Sequence, residues 1–347
     1  MTRKIKVGNI FIGGDAPITV QSMCNTDTAD VDATVGQIIA LENAGCDIVR
    51  VAVNGKEAAK ALSEIKKRTH IPVVADIQYD YKLAVAAVEN GADKVRINPG
   101  NIGDRSKVKY LADFLKERGV PVRIGVNAGS IEKDLKQKPV AEALTISAER
   151  HIAMLENAGF YEIVVSLKSS DVRTSVAAAR AFSAKFDYPL HIGVTEAGTY
   201  QRGLIKNVAG IAPLLLDGIG DTIRISLTAD PVEEVRAGRM LLKSLGLNDD
   251  SEVVSCPTCA RTAIPVSKIA EEAEKLLAGT KGLKVAVMGC VVNGIGESEN
   301  ADFGVAGGIG KSAVFENGKI TKTVENNEIS NEIKSLIEKY KGKNEKV

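Results

Sequence analysis

The chain has 347 residues, more than one ordinary domain holds, and 44% of them are hydrophobic, so two domains with sizeable cores are expected. Its 45 Lys and Arg residues against 44 Asp and Glu leave no global charge excess for nucleic acid or an anionic membrane to use, so any anion site must be local. The first thirty residues lack an apolar signal core and no apolar run reaches the roughly 18 residues of a membrane span, so a cytoplasmic protein without nucleic-acid or membrane partners is expected.

In chain order, apolar and β-branched runs predict strands over 18–23, 47–53, 72–77, 93–98, 121–127, 162–168, 189–196 and 221–228. Each is followed by a stretch of helical periodicity, such as DVDATVGQIIALENAG and AEALTISAERHIAMLENAG. The segments ENAGCDIVRVAVN, ENGADKVRINPG, ENAGFYEIVVSLK and DGIGDTIRISLT repeat one plan: a helix end, a glycine suited to a left-handed C-cap, then a β-branched run. The helix after the eighth strand starts on Asp230, Pro231 and Glu233, the residue types of a capping box. Eight βα units over residues 1–245 predict an N-terminal (β/α)8 TIM barrel, with an open doubly wound sheet as the alternative because periodicity is blind to ring closure. A polar linker over 246–251 leads to a smaller α/β domain over 252–347. That domain is read as a helix near 265–278, a strand at 284–288, a loop carrying Cys290, a strand near 302–306, a hairpin turning at ENGK and a helix from about 327.

Strand side chains alternate faces, so Arg50 shares a face with Ala52 and Asn54, Arg96 with Asn98, Arg123 with Gly125 and Asn127, Ser166 with Lys168, and Arg224 with Ser226 and Thr228. The apolar residues of each strand lie opposite and must meet the helices, which turns the cations into the barrel, towards the C-terminal mouth where such folds carry their sites. Asp76, Asp80 and Glu196 offset part of this charge. The remaining excess points to a phosphate or diphosphate ligand, for which guanidinium forks are suited.

The second domain offers Cys256 and Cys259 in SCPTCART, Cys290 in VMGCVVNGIGES, and no histidine. Structural zinc is usually closed by four Cys or His ligands, and a thioredoxin-like C-x-x-C would leave Cys290 unexplained. An iron-sulfur cubane with three thiolates and a different fourth ligand suits the count, and Glu297, on a glycine-broken loop, is the nearest candidate. Cys24 and Cys46 stand alone in the barrel half and are expected to pack as small apolar residues.

The chain resembles the 4-hydroxy-3-methylbut-2-enyl diphosphate synthases in their two-domain bacterial form. The resemblance runs over nearly the whole chain, from GNIFIGGDAPITVQSMCNTDTADVDATVGQI through DIVRVAV, VRINPGNIG, RIGVNAGSIEKDL, TEAG and GIGDTIRISLTADPVEEV to CPTCAR and MGCVVNGIGE. It implies an iron-sulfur oxidoreductase of the non-mevalonate isoprenoid pathway that opens and dehydrates 2-C-methyl-D-erythritol 2,4-cyclodiphosphate with electrons from ferredoxin or flavodoxin. It further implies one 4Fe-4S cluster per subunit on Cys256, Cys259, Cys290 and Glu297, and a homodimer in which the cluster domain of one subunit caps the barrel of the other. Arg50, Arg96, Arg123, Asn127, Lys168, Arg224 and Ser226 would hold the diphosphate, and Gln78 stands in DIQYDY where the family has a histidine. Cys24 replaces a usual threonine, and Ile295 a usual proline. Glu297 would step aside when substrate arrives, and Glu196 is the candidate proton donor, provided the chain turns at that strand end. Two other readings stay open: a non-redox barrel lyase or transferase for a phosphorylated metabolite with a structural metal domain, and an iron-sulfur electron carrier or sensor.

Overall fold

The computed structural model describes residues 1–102 and 105–344, with the side chains of 99, 100, 130, 293, 295, 297, 298 and 342–344 outside that description. The chain divides into two compact units, Met1–Leu247 and Asn248–Val347.

The first unit opens on a hairpin that the sequence reading did not include, β1 (Ile5–Val7) against β2 (Ile10–Ile12), turned at Gly8 with φ +57°. Eight parallel strands follow: β3 (Thr19–Met23), β4 (Ile48–Ala52), β5 (Val73–Asp76), β6 (Lys94–Ile97), β7 (Val122–Asn127), β8 (Ile163–Lys168), β9 (His191–Ile192) and β10 (Thr222–Ile223). They neighbour one another in the order β8-β7-β6-β5-β4-β3-β10-β9. The ends of that order meet, because the Val165 N–H donates to the Pro189 carbonyl at 2.8 Å and Val165 bridges Leu190 in parallel. The sheet is therefore a barrel and not the open alternative.

Around it run α1 (Val31–Asn43), α2 (Lys56–Arg68), α3 (Tyr81–Glu89), α4 (Pro99–Ile102), α5 (Arg105–Arg118), α6 (Val140–Glu156), α7 (Val172–Ser183), α8 (Tyr200–Leu216) and α9 (Pro231–Ser244). Side-chain caps set several starts: Asp30 accepts from the Ala33 N–H and Asp171 from the Thr174 N–H. Outward strand residues such as Val49, Val51, Val95, Ile124 and Val165 form one core with the helices. Inside, Ile48 and Val74 join Val7 and Ile12 of the hairpin in a separate apolar floor at the N-terminal end. Each such aliphatic side chain stabilises the fold by about 1.5–3 kcal/mol on full burial.

β9 and β10 are much shorter than the runs 189–196 and 221–228 suggested. At Gly193, φ +156°, the backbone passes so close to the next strand that a Cβ would stand 2.4 Å from the Arg224 carbonyl oxygen, and pairing ends there.

The second unit is a five-stranded sheet in the order β11 (Glu252–Ser255), β12 (Lys284–Met288), β13 (Phe303–Ala306), β14 (Lys311–Glu316) and β15 (Lys319–Glu325), parallel across the first three and antiparallel after. The hairpin turns on Asn317 and Gly318, both at positive φ, as a two-residue loop demands. One sheet face packs Val285, Val287 and Phe303 against α10 (Val266–Leu277) and α12 (Ile329–Asn344). The other carries Ala286, Met288, Ala306 and Phe315. On that side lies α11 (Val291–Ser298), where the sequence suggested a loop. Its Gly294 explains the difference: a Cβ there would stand 2.3 Å from that of Ala306, so glycine permits close helix-on-strand packing and is not a loop signal. β11 is a second element absent from the sequence reading. Among the described residues no helix is long and apolar enough to cross a membrane.

Candidate functional site

The barrel interior above the apolar floor is built from cations on β4, β6, β7 and β8 and just past β10. Arg50 is the middle residue of β4, Lys94 and Arg96 lie on β6, Arg123 on β7, Lys168 ends β8, and Arg224 follows β10. Among the described residues, the carboxylates brought to them are Asp76 and Glu234. Asp76 ends β5 and is shared: Oδ1 accepts from Arg96 Nη1 at 3.1 Å, while Oδ2 is 3.6 Å from Arg50 Nε. Arg50 also rests its guanidinium on the Met23 thioether, with Nε and Nη2 at 3.0 and 2.8 Å from Sδ. Glu234, in the first turn of α9, takes Nε and Nη2 of Arg224 at 3.4 Å each on Oε2. The same oxygen accepts the Ser22 hydroxyl at 2.9 Å, and Oε1 accepts the Leu227 N–H at 3.0 Å.

Among the described residues, four guanidinia and two amines face two carboxylates, which leaves positive charge without compensation in a place water barely reaches. Arg123 is 2% exposed, and among the described residues its Nε and Nη1 have no hydrogen-bond partner; the same holds for Arg96 Nε and for Nζ of the fully buried Lys94. Burial first, and Arg224 second, pull Arg50 down to about 10 against the opposing effect of Asp76. Burial, then Arg50 and Arg96, push Arg123 in the same direction. Guanidinia nonetheless stay charged, so the amines and the imidazole yield first. Burial and Arg123 hold both Lys94 and Lys168 well below ordinary lysine, and burial with Lys168 keeps His191 neutral. His191 points Nδ1 at the Thr222 hydroxyl, 3.4 Å away, and its Nε2 lacks a partner among the described residues.

Asn127 ends β7 in register with Lys168, and Gly125 lies under Arg96. Ser226 is held through its backbone by Asn207, which donates to the Ser226 carbonyl and accepts its N–H. Gln78 is exposed on the loop after β5. Glu196 is exposed at φ +52°, a left-handed conformation rare outside glycine, so the chain does turn beyond β9. Asp80, expected to offset barrel charge, caps α3 instead by accepting the Lys82 N–H. Glu234 does that work, and sequence reading missed it, as it missed Lys94 and His191. Lys94 carried a usable signal, since it shares the pleat face of Arg96.

In the second unit the parallel pairing of β11 with β12 puts Cys256 and Cys290 at the same end of the sheet. The Gly289 N–H donates to Cys256 Sγ at 3.1 Å, and the Ala263 N–H returns the Cys259 turn to the Gly289 carbonyl at 2.8 Å. Cys259 is exposed, and the Arg261 backbone N–H first, with its side chain second, holds the thiol below its ordinary value. Cys290 is the N-cap of α11. Soft donors, an N–H directed at sulfur and a thiolate-favouring arginine fit a thiophilic metal group. Among the described residues no three His, Cys, Asp or Glu side chains meet closely enough to hold a metal ion. The side chains of Glu297 and Ile295 lie outside the described residues; the Glu297 backbone belongs to α11. Cys24 and Cys46 are buried in the barrel half, and burial raises both thiols to about 12.

Solved structures share the barrel fold. Dihydropteroate synthase from Yersinia pestis superposes with a TM-score of 0.53 at 14% identity, over 71% of this chain and 100% of that one. Type I 3-dehydroquinate dehydratase from Clostridium difficile gives 0.52 at 16%, over 70% and 98%. Curated relatives are far closer in sequence. Proteins named 4-hydroxy-3-methylbut-2-en-1-yl diphosphate synthase (flavodoxin) from Ruminiclostridium cellulolyticum and from Geobacter sulfurreducens are each 54% identical over 343 residues, covering 97% of both chains. Residues 2–239 match the GcpE TIM-barrel domain and 252–339 the GcpE protein C-terminal domain, and with both domains present in order the chain belongs to the GcpE family.

Proposed function

We propose that this chain is a 4-hydroxy-3-methylbut-2-enyl diphosphate synthase, opening 2-C-methyl-D-erythritol 2,4-cyclodiphosphate reductively and expelling water. The observation that carries the reading is the charge balance of the barrel: the guanidinia of Arg50, Arg96, Arg123 and Arg224, with the amines of Lys94 and Lys168 beside them, face two carboxylates among the described residues, and an anionic ligand supplies what is missing. Arg123, with two nitrogens that lack a partner among the described residues, has donors to offer phosphoryl oxygens, and Arg96 has one such nitrogen. Asp76 and Glu234 hold Arg50, Arg96 and Arg224 in place before the ligand arrives, so little ordering remains for binding to impose. Asn127, Ser226 and Gln78 complete the grip with uncharged donors.

A 4Fe-4S cluster, one per subunit, on Cys256, Cys259, Cys290 and Glu297 would supply the two electrons singly. Those electrons come from flavodoxin, the donor in the relatives' names, or from ferredoxin. Loss of a hydroxyl as water consumes a proton. Glu196 is the proposed donor: its left-handed backbone turns it off the strand line, and it is exposed and so able to recharge from solvent. We further propose a cytoplasmic homodimer.

The test is anaerobic purification followed by iron and acid-labile sulfide analysis, with turnover of the cyclic diphosphate by reduced flavodoxin. Iron and sulfide in equal amounts together with turnover are expected. Zinc without sulfide would overturn the redox assignment in favour of a lyase or transferase. A cluster without affinity for the cyclic diphosphate would leave an electron carrier.

A further inference from the structure

Lys94 lies at the bottom of the cationic wall. It is the first residue of β6, its register partner on β5 is Val74 of the apolar floor, and its side chain is fully buried. Among the described residues its Nζ has no hydrogen-bond partner. The charges around it come from the strands on either side and across the barrel. Arg123 of β7 and Arg50 of β4 act on it as like charges, and Lys94 in turn acts on His191 of β9, as does Lys168 of β8. Asp76 of β5, the carboxylate on its other neighbour, is already divided between Arg50 and Arg96, and Glu234 is engaged with Arg224. An ammonium at this place is shut off from solvent and has no counter-ion of its own among the described residues, and a buried charge so placed gives up its proton.

We propose that Lys94 is the proton acceptor of the anion site, an uncharged amine while the barrel is empty and an ammonium once a diphosphate occupies the cluster of Arg50, Arg96, Arg123, Lys168 and Arg224. The inference rests on the diphosphate reading and adds a proton to it. Two anionic phosphoryl groups against Arg50 and Arg123 cancel the charges that oppose protonation of Nζ. The step balances simply: one N–H bond forms, the proton comes from solvent, and nothing is oxidised or reduced. Binding therefore tightens as pH falls through the range in which the empty barrel holds the amine neutral. Burial first, then Arg123 and Arg50, hold the empty-barrel amine well below the ordinary lysine value of 10.5, so that range opens well under it.

The experiment is isothermal titration of the full chain, purified anaerobically and without reductant, with the cyclic diphosphate at mildly alkaline pH. Two buffers of different ionisation enthalpy yield the number of protons taken up. The probe carries no group that titrates near neutrality, so the protons belong to the protein. Wild type is expected to take up about one proton more than Lys94→Met, with Lys94→Gln as a second neutral replacement. Equal uptake by wild type and variants overturns the role of Lys94 while leaving the diphosphate site standing. Wild type that binds with no uptake does the same. No binding by wild type overturns the diphosphate reading and this inference with it.

Discussion

Gly125 and Arg96 occupy the same space in the barrel: a Cβ on Gly125 would stand 2.7 Å from Arg96 Nε and 2.9 Å from Nη2. The missing side chain on β7 is the berth of the guanidinium from β6. Gly125→Ala should push Arg96 off Asp76 and out of the anion cluster while leaving every cation present. A charge-assisted contact is worth about 1.5–3 kcal/mol, so affinity for the cyclic diphosphate should fall roughly ten- to a hundredfold. Titration of the variant checks this; unchanged affinity would show that Arg96 does not contact the ligand from its present berth.

Glu234 ties three elements together, through Ser22 of β3, the Leu227 N–H and Arg224. Replacing it by Gln keeps the shape and removes the charge. Arg224 then becomes one more uncompensated cation, and stability should drop by about 1–3 kcal/mol. Urea denaturation measures the drop, and a midpoint equal to wild type would mean that Arg224 is satisfied elsewhere. Bound cyclic diphosphate should restore part of the loss by supplying the missing negative charge.

How much of this could be read before the structure depends on how local each signal was. The β-branched runs after the glycine C-caps located four of the barrel strands and the apolar runs between them the other four, because a strand buried between helices and barrel interior must alternate along its own few residues. Arg50, Arg96, Arg123, Lys168 and Arg224 followed from the same alternation. Ring closure did not, since Val165 meets Pro189 and Leu190 through tertiary geometry that no period encodes. Glu234 was invisible for the same reason: nothing on α9 announces that its first turn reaches back to Ser22. The glycines of VVNGIGES misled, because low helix propensity normally argues for a loop, and here contact with Ala306 outweighs it.

The buried amine of Lys94 makes a prediction about stability against pH. Its folded value lies below the unfolded 10.5, so between the two the unfolded chain binds a proton that the native barrel does not. Stability then rises with pH across that window, by up to about 1.4 kcal/mol per unit for one such group. Lys94→Met removes the penalty, so the variant should be more stable than wild type at neutral pH, and its advantage should shrink as pH climbs towards 10.5. Urea midpoints for both proteins at several alkaline pH values check the trend. An advantage independent of pH would mean that the amine is protonated in both states.

The last prediction concerns the segment that carries Glu297. Two glycines lie on α11, and they differ in what surrounds them. At Gly294 a Cβ would meet the Ala306 Cβ at 2.3 Å, whereas at Gly296 nothing lies within 4 Å. Alanine in a helix interior is favoured over glycine by about 1 kcal/mol, while overpacking costs about 1–3 kcal/mol. Propensity should therefore win at Gly296 and sterics at Gly294. Gly296→Ala is expected to stabilise the second unit slightly and to keep its iron. Gly294→Ala should lift α11 from β13, moving the Glu297 backbone relative to Cys256 at the end of β11, and should lower iron content although all three cysteines remain. Iron and sulfide analysis of both anaerobically purified variants, beside their urea midpoints, separates the two cases. If Gly294→Ala retains iron and stability as Gly296→Ala does, the seating of α11 on Ala306 does not govern the metal centre.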